Sequence, residues 1–335
     1  MATIYDVAKA CHCSTTTVSK VLNNTGKISK EKREMILRVA KEIGYVRNET
    51  ARSLASSNKS SRMVGVLLHV LEDKSITHEL FSVILNSFRN EMGKHDYDIC
   101  FIRNVTDDEY MEYKDFVNAR DLDGVFILSA SLREQKVLNL VKEDLPLIAF
   151  DIDLAKYSVS SNNLESVANL IDYLVSLGHK RICYVRPEHF GVSVDRYNGF
   201  LEGIKRNNIE FDERMVVDAP FYSKDSAKMA TDKALASGFN PTVIMYPDDY
   251  TAINAIQYLH QLGYRVPDDI SITGFDGIEI GTFTQPSLVT IKQDMSNLGK
   301  EAASLLLKQI KKEEITDPHI TIEAEIVKGQ SVKKI

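Results

Sequence analysis

From Met63 onward, apolar runs of five to eight residues alternate with helical stretches, and this alternation restricts the fold more than any other feature of the chain. MVGVLLHV, YDICFIR, DGVFILS and PLIAF form one set; RICYV, MVVDA, TVIMY and DISITGF form a second. Runs this short, apolar on both faces and separated by helices, are those of parallel strands covered on each side. Two such sets predict two doubly wound subdomains with a cleft at the strand C-termini. A length of 335 residues suits that division, and 44% hydrophobic with 26% charged residues excludes disordered and fibrous classes. No apolar run reaches the roughly 18 residues of a membrane span, and MATIYDVAKA lacks the pattern of a secretory signal. Cys11, Cys13, Cys100 and Cys183 do not make a disulfide framework in a chain of this length. The expectation is a cytoplasmic protein with reduced thiols and no membrane partner.

The first 62 residues have a different character. They hold twelve Lys/Arg against five Asp/Glu, a balance of +7, whereas the remaining 273 hold 29 against 42, a balance of -13. A basic head on an acidic body is one charge map of a nucleic-acid reader. Thr3 and Asp6 make a T-x-x-D capping box, and Ile4, Val7, Ala8 and Cys11 form one apolar stripe behind it. After the short turn His12-Cys13-Ser14, Ser14 caps a second helix, Thr15 to Leu22. Ser29 caps a third, with Met35, Ile36, Val39, Ala40 and Ile43 as its buried stripe and Gly44 as its stop. The exposed face of the second helix is Thr15, Thr16, Ser19 and Lys20. Such a face suits the major groove, where hydroxyls, a methyl and a long cation meet base edges and phosphates, or it is simply a polar surface. Cys11-His12-Cys13 cannot close a tetrahedral metal site, and no second Cys/His pair lies nearby, so no metal or other cofactor is expected.

Residues 3–55, TIYDVAKACHCSTTTVSKVLNNTGKISKEKREMILRVAKEIGYVRNETARSLA, resemble the DNA-binding headpiece of the lactose-repressor (LacI/GalR) family of bacterial transcription regulators. The D-V-A, T-V-S-x-V-L-N, G-Y and A-R-S-L pieces fall in register. His12 departs from the pattern, standing where the family usually has Gly. The resemblance implies a helix-turn-helix headpiece over 1–47, a hinge helix and linker over 48–61, and an α/β periplasmic-binding-protein-like core. By resemblance the first core subdomain is 62–160 with about 291–318, the second 161–290 with about 319–332. The last helix, Ser296 to Ile310, then belongs to the first, and a final strand near Thr321 to Val327 to the second. The DNA-contacting residues it implies are Thr3, Tyr5, Ser14, Thr15, Thr16, Thr17, Ser19, Lys20, Asn23, Lys27, Ser29, Tyr45, Asn48, Ala51, Arg52, Leu54 and Ala55. Leu54, the one large aliphatic side chain of the tether after Val46, either docks on a neighbouring domain or wedges into the minor groove; the resemblance favours the wedge.

For the core, the resemblance implies a small-molecule effector held by Leu80, Phe81, Ser129, Phe190, Arg196, Phe221, Asp248 and Asp276. Arg196 stands in D-R-Y-N-G-F and Asp276 in G-F-D, each at a matching family motif, while Asp248 aligns with an Asn of sugar-responsive relatives. An Arg between carboxylates with an apolar plate suits a polyhydroxylated ligand, a sugar or sugar derivative. Phe190 stands where purine-responsive relatives need an Arg, which argues against a purine. Ser161-Asn162 replaces the common Asp-Asn, and the loop Leu71 to Glu79 is longer than usual. The expected molecule is a homodimeric repressor binding a palindromic duplex operator, since no heptad-rich tail follows Val332. A plain sugar-binding protein and an α/β enzyme with a fused head are the alternatives. G-x-G-x-x-G, G-x-x-x-x-G-K-[ST] and G-x-S-x-G are all missing, which weighs against the enzyme.

Overall fold

The computed structural model describes residues 2–22, 25–45, 60–68, 77–103, 111–187, 191–221 and 224–335, which fall into two units, Met1–Ser61 and Arg62–Ile335. The first unit contains helices α1 (Ile4–Ala10), α2 (Thr15–Leu22) and α3 (Lys30–Glu42). Their apolar stripes meet in one small core of Val7, Ala8, Cys11, Val18, Val21, Ile36 and Ala40. The α1–α2 turn closes through the Cys13 amide, which donates to the Ala8 carbonyl at 3.0 Å, and His12 adopts a left-handed φ of 47°. That is the conformation for which glycine is preferred. The expected stripe of α3 is corrected at its end. Ile43 is exposed, because the helix stops at Glu42 and Ile43 is its C-cap, outside the 3.6-residue period. Gly44 follows with φ 68°, and the Tyr45 amide returns to the Ala40 carbonyl at 2.8 Å.

The second unit starts with β1 (Met63–Leu68), α4 (Glu79–Gly93), β2 (Asp98–Phe101), α5 (Tyr113–Ala119), β3 (Gly124–Ser129), α6 (Gln135–Val141), β4 (Leu147–Phe150) and β5 (Ser158–Ser161). The chain then passes to α7 (Asn163–Ser176), β6 (Ile182–Arg186), α8 (Val192–Arg206), β7 (Val216–Asp218), α9 (Lys224–Ala236), β8 (Val243–Met245), α10 (Asp249–Gln261), β9 (Ser271–Asp276), α11 (Ile280–Phe283) and β10 (Val289–Lys292). It returns as α12 (Met295–Lys311) and ends with β11 (His319–Ile322) and β12 (Glu325–Val327). One sheet runs β11-β5-β4-β3-β1-β2, all parallel; the other runs β12-β10-β9-β8-β6-β7, parallel except for β12 against β10. All eight strands read from apolar runs are present. The polar strand β5, SVSS, is not legible from its composition.

The C-terminal end differs from expectation. The sequence reading gives residues 319–332, with a single strand near Thr321 to Val327, to the second subdomain. Instead β11 pairs with β5 in the first sheet, and only β12 joins the second. The third crossover is therefore at Glu323–Ala324, not near Pro318. Asn162 holds it there: its amide donates to the Ile322 carbonyl at 2.9 Å and its Oδ1 accepts from the Ala324 amide at 2.8 Å. The other two crossovers lie at Asn162 and at Gln293–Asp294. Helix α12 packs on α4 in the first lobe, with Leu298, Ala302, Leu305 and Leu306 against Ile84 and Phe88. Each leucine so buried contributes about 1.5–3 kcal/mol. The helices meet closely because residue 299 is glycine; a Cβ there would lie 2.2 Å from the Ile84 carbonyl oxygen.

Candidate functional site

Two groups of side chains matter, one in each unit. In the first, three hydroxyl residues begin the three helices. Thr3 Oγ1 accepts from the Asp6 amide at 3.3 Å, Ser14 Oγ from the Thr17 amide at 3.2 Å, and Ser29 Oγ from the Lys32 amide at 3.4 Å. Val18 and Val21 turn α2 inward, which leaves Thr16 and Lys20 exposed and Thr15 and Ser19 half-buried at the edges of the outer face. Thr17 is drawn into the cap, its hydroxyl 2.9 Å from that of Ser14. The stem of Lys20 lies along Gly26, where a Cβ would come within 3.2 Å of its Cδ. Tyr5 is 73% exposed and Lys27 is exposed, whereas Tyr45 packs partly against the headpiece core. Cys11 belongs to that same core and Cys13 packs against it. Asn23, Asn48, Ala51, Arg52, Leu54 and Ala55, and Phe190 of the effector set, lie outside the described residues.

In the second unit the remaining effector candidates lie at C-terminal strand ends, where open α/β sheets bind ligands. Arg196 is buried on α8 and held on three sides. Its Nε donates to Asn163 Oδ1 at 2.9 Å, its Nη1 to the Pro247 carbonyl at 3.2 Å, and its guanidinium carbon lies 3.5 Å from the centre of the Phe275 ring. The remaining nitrogen, Nη2, reaches across the lobes to within 4.0 Å of Asp151 Oδ2. Burial pushes the Asp151 carboxyl up to about 6, against the opposing pull of Arg196 and of the Asn163 amide, which donates to it at 3.2 Å. Asp276 is 1% exposed at the end of β9, with φ 111°, a backbone conformation that side chains rarely adopt. Its Oδ1 accepts from Gln293 Nε2 at 2.8 Å, while its buried Oδ2 has no hydrogen-bond partner. Burial holds its pKa well above the usual carboxylate range, Arg196 lowers it, and Asp249 and Asp248 raise it further.

Asp248 is placed at a helix start. It is the N-cap of α10: Oδ1 accepts from the Thr251 amide at 2.8 Å and Oδ2 from the Thr251 hydroxyl at 2.6 Å, so both oxygens serve the helix start. The adjacent Asp249 points into the second lobe, accepting from the Thr290 hydroxyl at 2.6 Å and the Ile278 amide at 2.9 Å. Gly274 makes room for it, since a Cβ there would lie 2.1 Å from its Oδ1. Burial pushes Asp249 up to about 8. Leu80 and Phe81 are only 2% and 5% exposed and belong to the first-lobe core rather than to an open face. Phe81 touches His78, whose ring meets Tyr250 of the other lobe edge-on at 4.8 Å. Glu79 Oε1 accepts from the Glu279 amide at 2.8 Å, a second link between the lobes. Ser129, at the end of β3, and Phe221, after β7, are half-buried.

Asp151, Asn163 and Gln293 escape the sequence reading, and Ser161 enters it only as a departure from the family's Asp-Asn pair. Each acquires its role from a partner in another element. Among the described residues no group of three His, Cys, Asp or Glu side chains could hold a metal ion, and no helix is long and apolar enough to cross a membrane.

Two family models match the chain: bacterial regulatory proteins, lacI family, over residues 3–48, and a periplasmic binding protein-like domain over residues 171–332. A ribose operon repressor from Halalkalibacterium halodurans is 31% identical over 349 residues, covering 99% of this chain and 98% of that protein. An HTH-type transcriptional repressor PurR from Mannheimia succiniciproducens is 29% identical over 342 residues, covering 100% of both. The structure of the lac repressor dimer bound to operator and the anti-inducer ONPF matches with a TM-score of 0.84 at 23% identity, over 99% of each chain, a likeness of fold.

Proposed function

The chain belongs to the lacI family of bacterial regulatory proteins, and from that premise we propose that it is a repressor whose operator affinity is set by a small neutral sugar bound between the core lobes. The observation that carries this reading is Arg196. It is buried, and has its Nη2 directed at a carboxylate of the opposite lobe. Asp151 and Asp276 face it with raised pKa values, so an anionic effector would add negative charge where burial already opposes it. A polyol meets no such penalty: its hydroxyls donate to carboxylates and accept from the guanidinium. Asp248 has a smaller part than the motif implies, because its oxygens cap α10. The site binds rather than turns over its ligand, in keeping with relatives that are regulators.

The headpiece supplies the other half of the function. Helix α2 enters the major groove, Thr16 and Lys20 face base edges, and the caps at Thr3, Ser14 and Ser29 present helix starts to phosphates. The resemblance also gives Leu54, which lies outside the described residues, the part of a minor-groove wedge. The protein works as a homodimer on a palindromic duplex, in the cytoplasm. Selection of duplexes from a random library by the full chain tests the first claim, and returns a two-fold symmetric motif. Titration of that duplex in the presence of D-ribose and other neutral aldoses tests the second, with one sugar shifting operator affinity several-fold. A protein that retained no sequence preference over bulk duplex would end the repressor reading.

A further inference from the structure

We infer that Ser161 and Gln293 form a one-way hydrogen-bond relay that orients Asp276 toward the ligand space and ties that side chain to the crossovers, making Ser161 a positioning residue for effector recognition. The inference rests on the reading of Asp276 as an effector-facing group. Ser161 Oγ donates to Gln293 Oε1 at 2.6 Å, and Gln293 Nε2 donates to Asp276 Oδ1 at 2.8 Å, with all three side chains buried. The direction follows from chemistry. Whether ionised or carrying a proton on Oδ2, Asp276 can only accept at Oδ1, so the Gln293 amide must present its nitrogen there. Its oxygen then faces Ser161, whose hydroxyl has to donate. A side chain at 161 without a hydroxyl hydrogen leaves that oxygen buried and unsatisfied, and the amide loses its reason to stay in place.

The position of the relay gives it consequence. Ser161 ends β5 at the first crossover, Gln293 follows β10 at the second, and its backbone amide donates to the Asp276 carbonyl at 3.1 Å. The next two residues extend the pattern: Asn162 holds the third crossover through Ile322 and Ala324, and Asn163 accepts from Arg196. Three consecutive residues thus reach all three crossovers and, through Gln293 and Asn163, the cleft groups Asp276, Arg196 and Asp151. With Oδ1 fixed by Gln293, only Oδ2 of Asp276 is left for a ligand, and it is the oxygen without a partner.

The test is a carboxyl titration of the ligand-free full chain, labelled with carbon-13 at the aspartate side chains, with the Asp276 signal assigned by its loss in Asp276→Asn. Arg196 from α8 and Asp248 and Asp249 from α10 also face Asp276, and they are unchanged in the variants compared. Ser161→Ala raises the Asp276 midpoint by about half a unit or more, because the amide donor that favours the charged form is no longer held. Ser161→Thr, which keeps the hydroxyl, restores the wild-type midpoint. The Asp151 midpoint stays where it is in both, since its partner Asn163 is held by the backbone carbonyl of Ser161 at 3.0 Å and not by the hydroxyl that is removed. An Asp276 midpoint unmoved by Ser161→Ala overturns the relay, as does a parallel shift of Asp151, which would mark a general loosening of the lobes. No ligand enters the measurement, so a failure to find a responsive sugar would count against the effector reading and leave the relay standing.

Discussion

Asp248 and Asp249 show how much one position along a chain decides. Both are fully buried, yet the first ends in a helix cap and the second in a contact with strand β10. Asp249 carries a consequence for stability. Its folded pKa of about 8 lies far above the ordinary aspartate value of 3.8, so the folded protein keeps a proton that the unfolded chain releases. The stability this group contributes is fully present below the unfolded pKa and is lost as pH rises through about 8. Asp249→Asn, neutral and of the same shape, should flatten that dependence; urea melts of both proteins between acid and alkaline pH would reveal parallel slopes if the group were ionised throughout. In the headpiece, Lys20→Ala should relax base selection at one symmetric position of the operator, at about 1–3 kcal/mol per half-site. Binding selection on a random library measures this, and an unchanged motif would reduce Lys20 to a phosphate contact.

Elements differ in how strictly their packing is set. Helix α2 tolerates a hydroxyl-rich face that disfavours helix, because Ser14 caps it and two valines anchor it on a core of seven residues. The α4–α12 pair tolerates much less. Any side chain at 299 meets backbone, the Ile84 carbonyl and the Phe88 amide, not a movable side-chain end. Gly299→Ala should therefore force the helices apart and destabilise the core by about 1–3 kcal/mol, despite the higher helix propensity of alanine. Chemical denaturation would register the loss, and a gain in stability would mean that the two helices separate at no cost.

For the molecule as a whole, the prediction concerns communication. The lobes are linked by Arg196 with Asp151, by Glu79 with the Glu279 amide, and by His78 with Tyr250. A ligand entering between Arg196 and Asp151 alters the first of these directly, and it can shift the lobe equilibrium only by its differential affinity for the two states. A coupling of about 1–3 kcal/mol corresponds to a change in operator affinity of roughly 5- to 150-fold. Arg196→Ala should abolish that response while operator binding without sugar stays intact. Operator titrations with and without D-ribose or the responding aldose measure both quantities. A variant that responded at the wild-type sugar concentration would place the effector elsewhere.

The sequence by itself determined the kinds of elements and their order. Unbroken apolar runs record strands covered on both faces and a period near 3.6 records the buried face of a helix, and the eight apolar strands and three headpiece helices carry that record without reference to anything distant. The charge contrast between head and body, and the R-x-x-G-F and G-F-D motifs around Arg196 and Asp276, are equally local. Tertiary structure decided the rest. Strand β5 is polar and exists because β4 and β11 flank it. The final strand divides at Glu323–Ala324 because Asn162, far back in the chain, takes the hydrogen bonds there. Ser161 bonds Gln293 across 132 positions, and Asn163 reaches Arg196 across 33. Hydrogen bonding acts over about 3 Å of space whatever the distance along the chain, so the partners that shape the cleft chemistry are specified only once the two sheets have folded and their crossovers lie side by side.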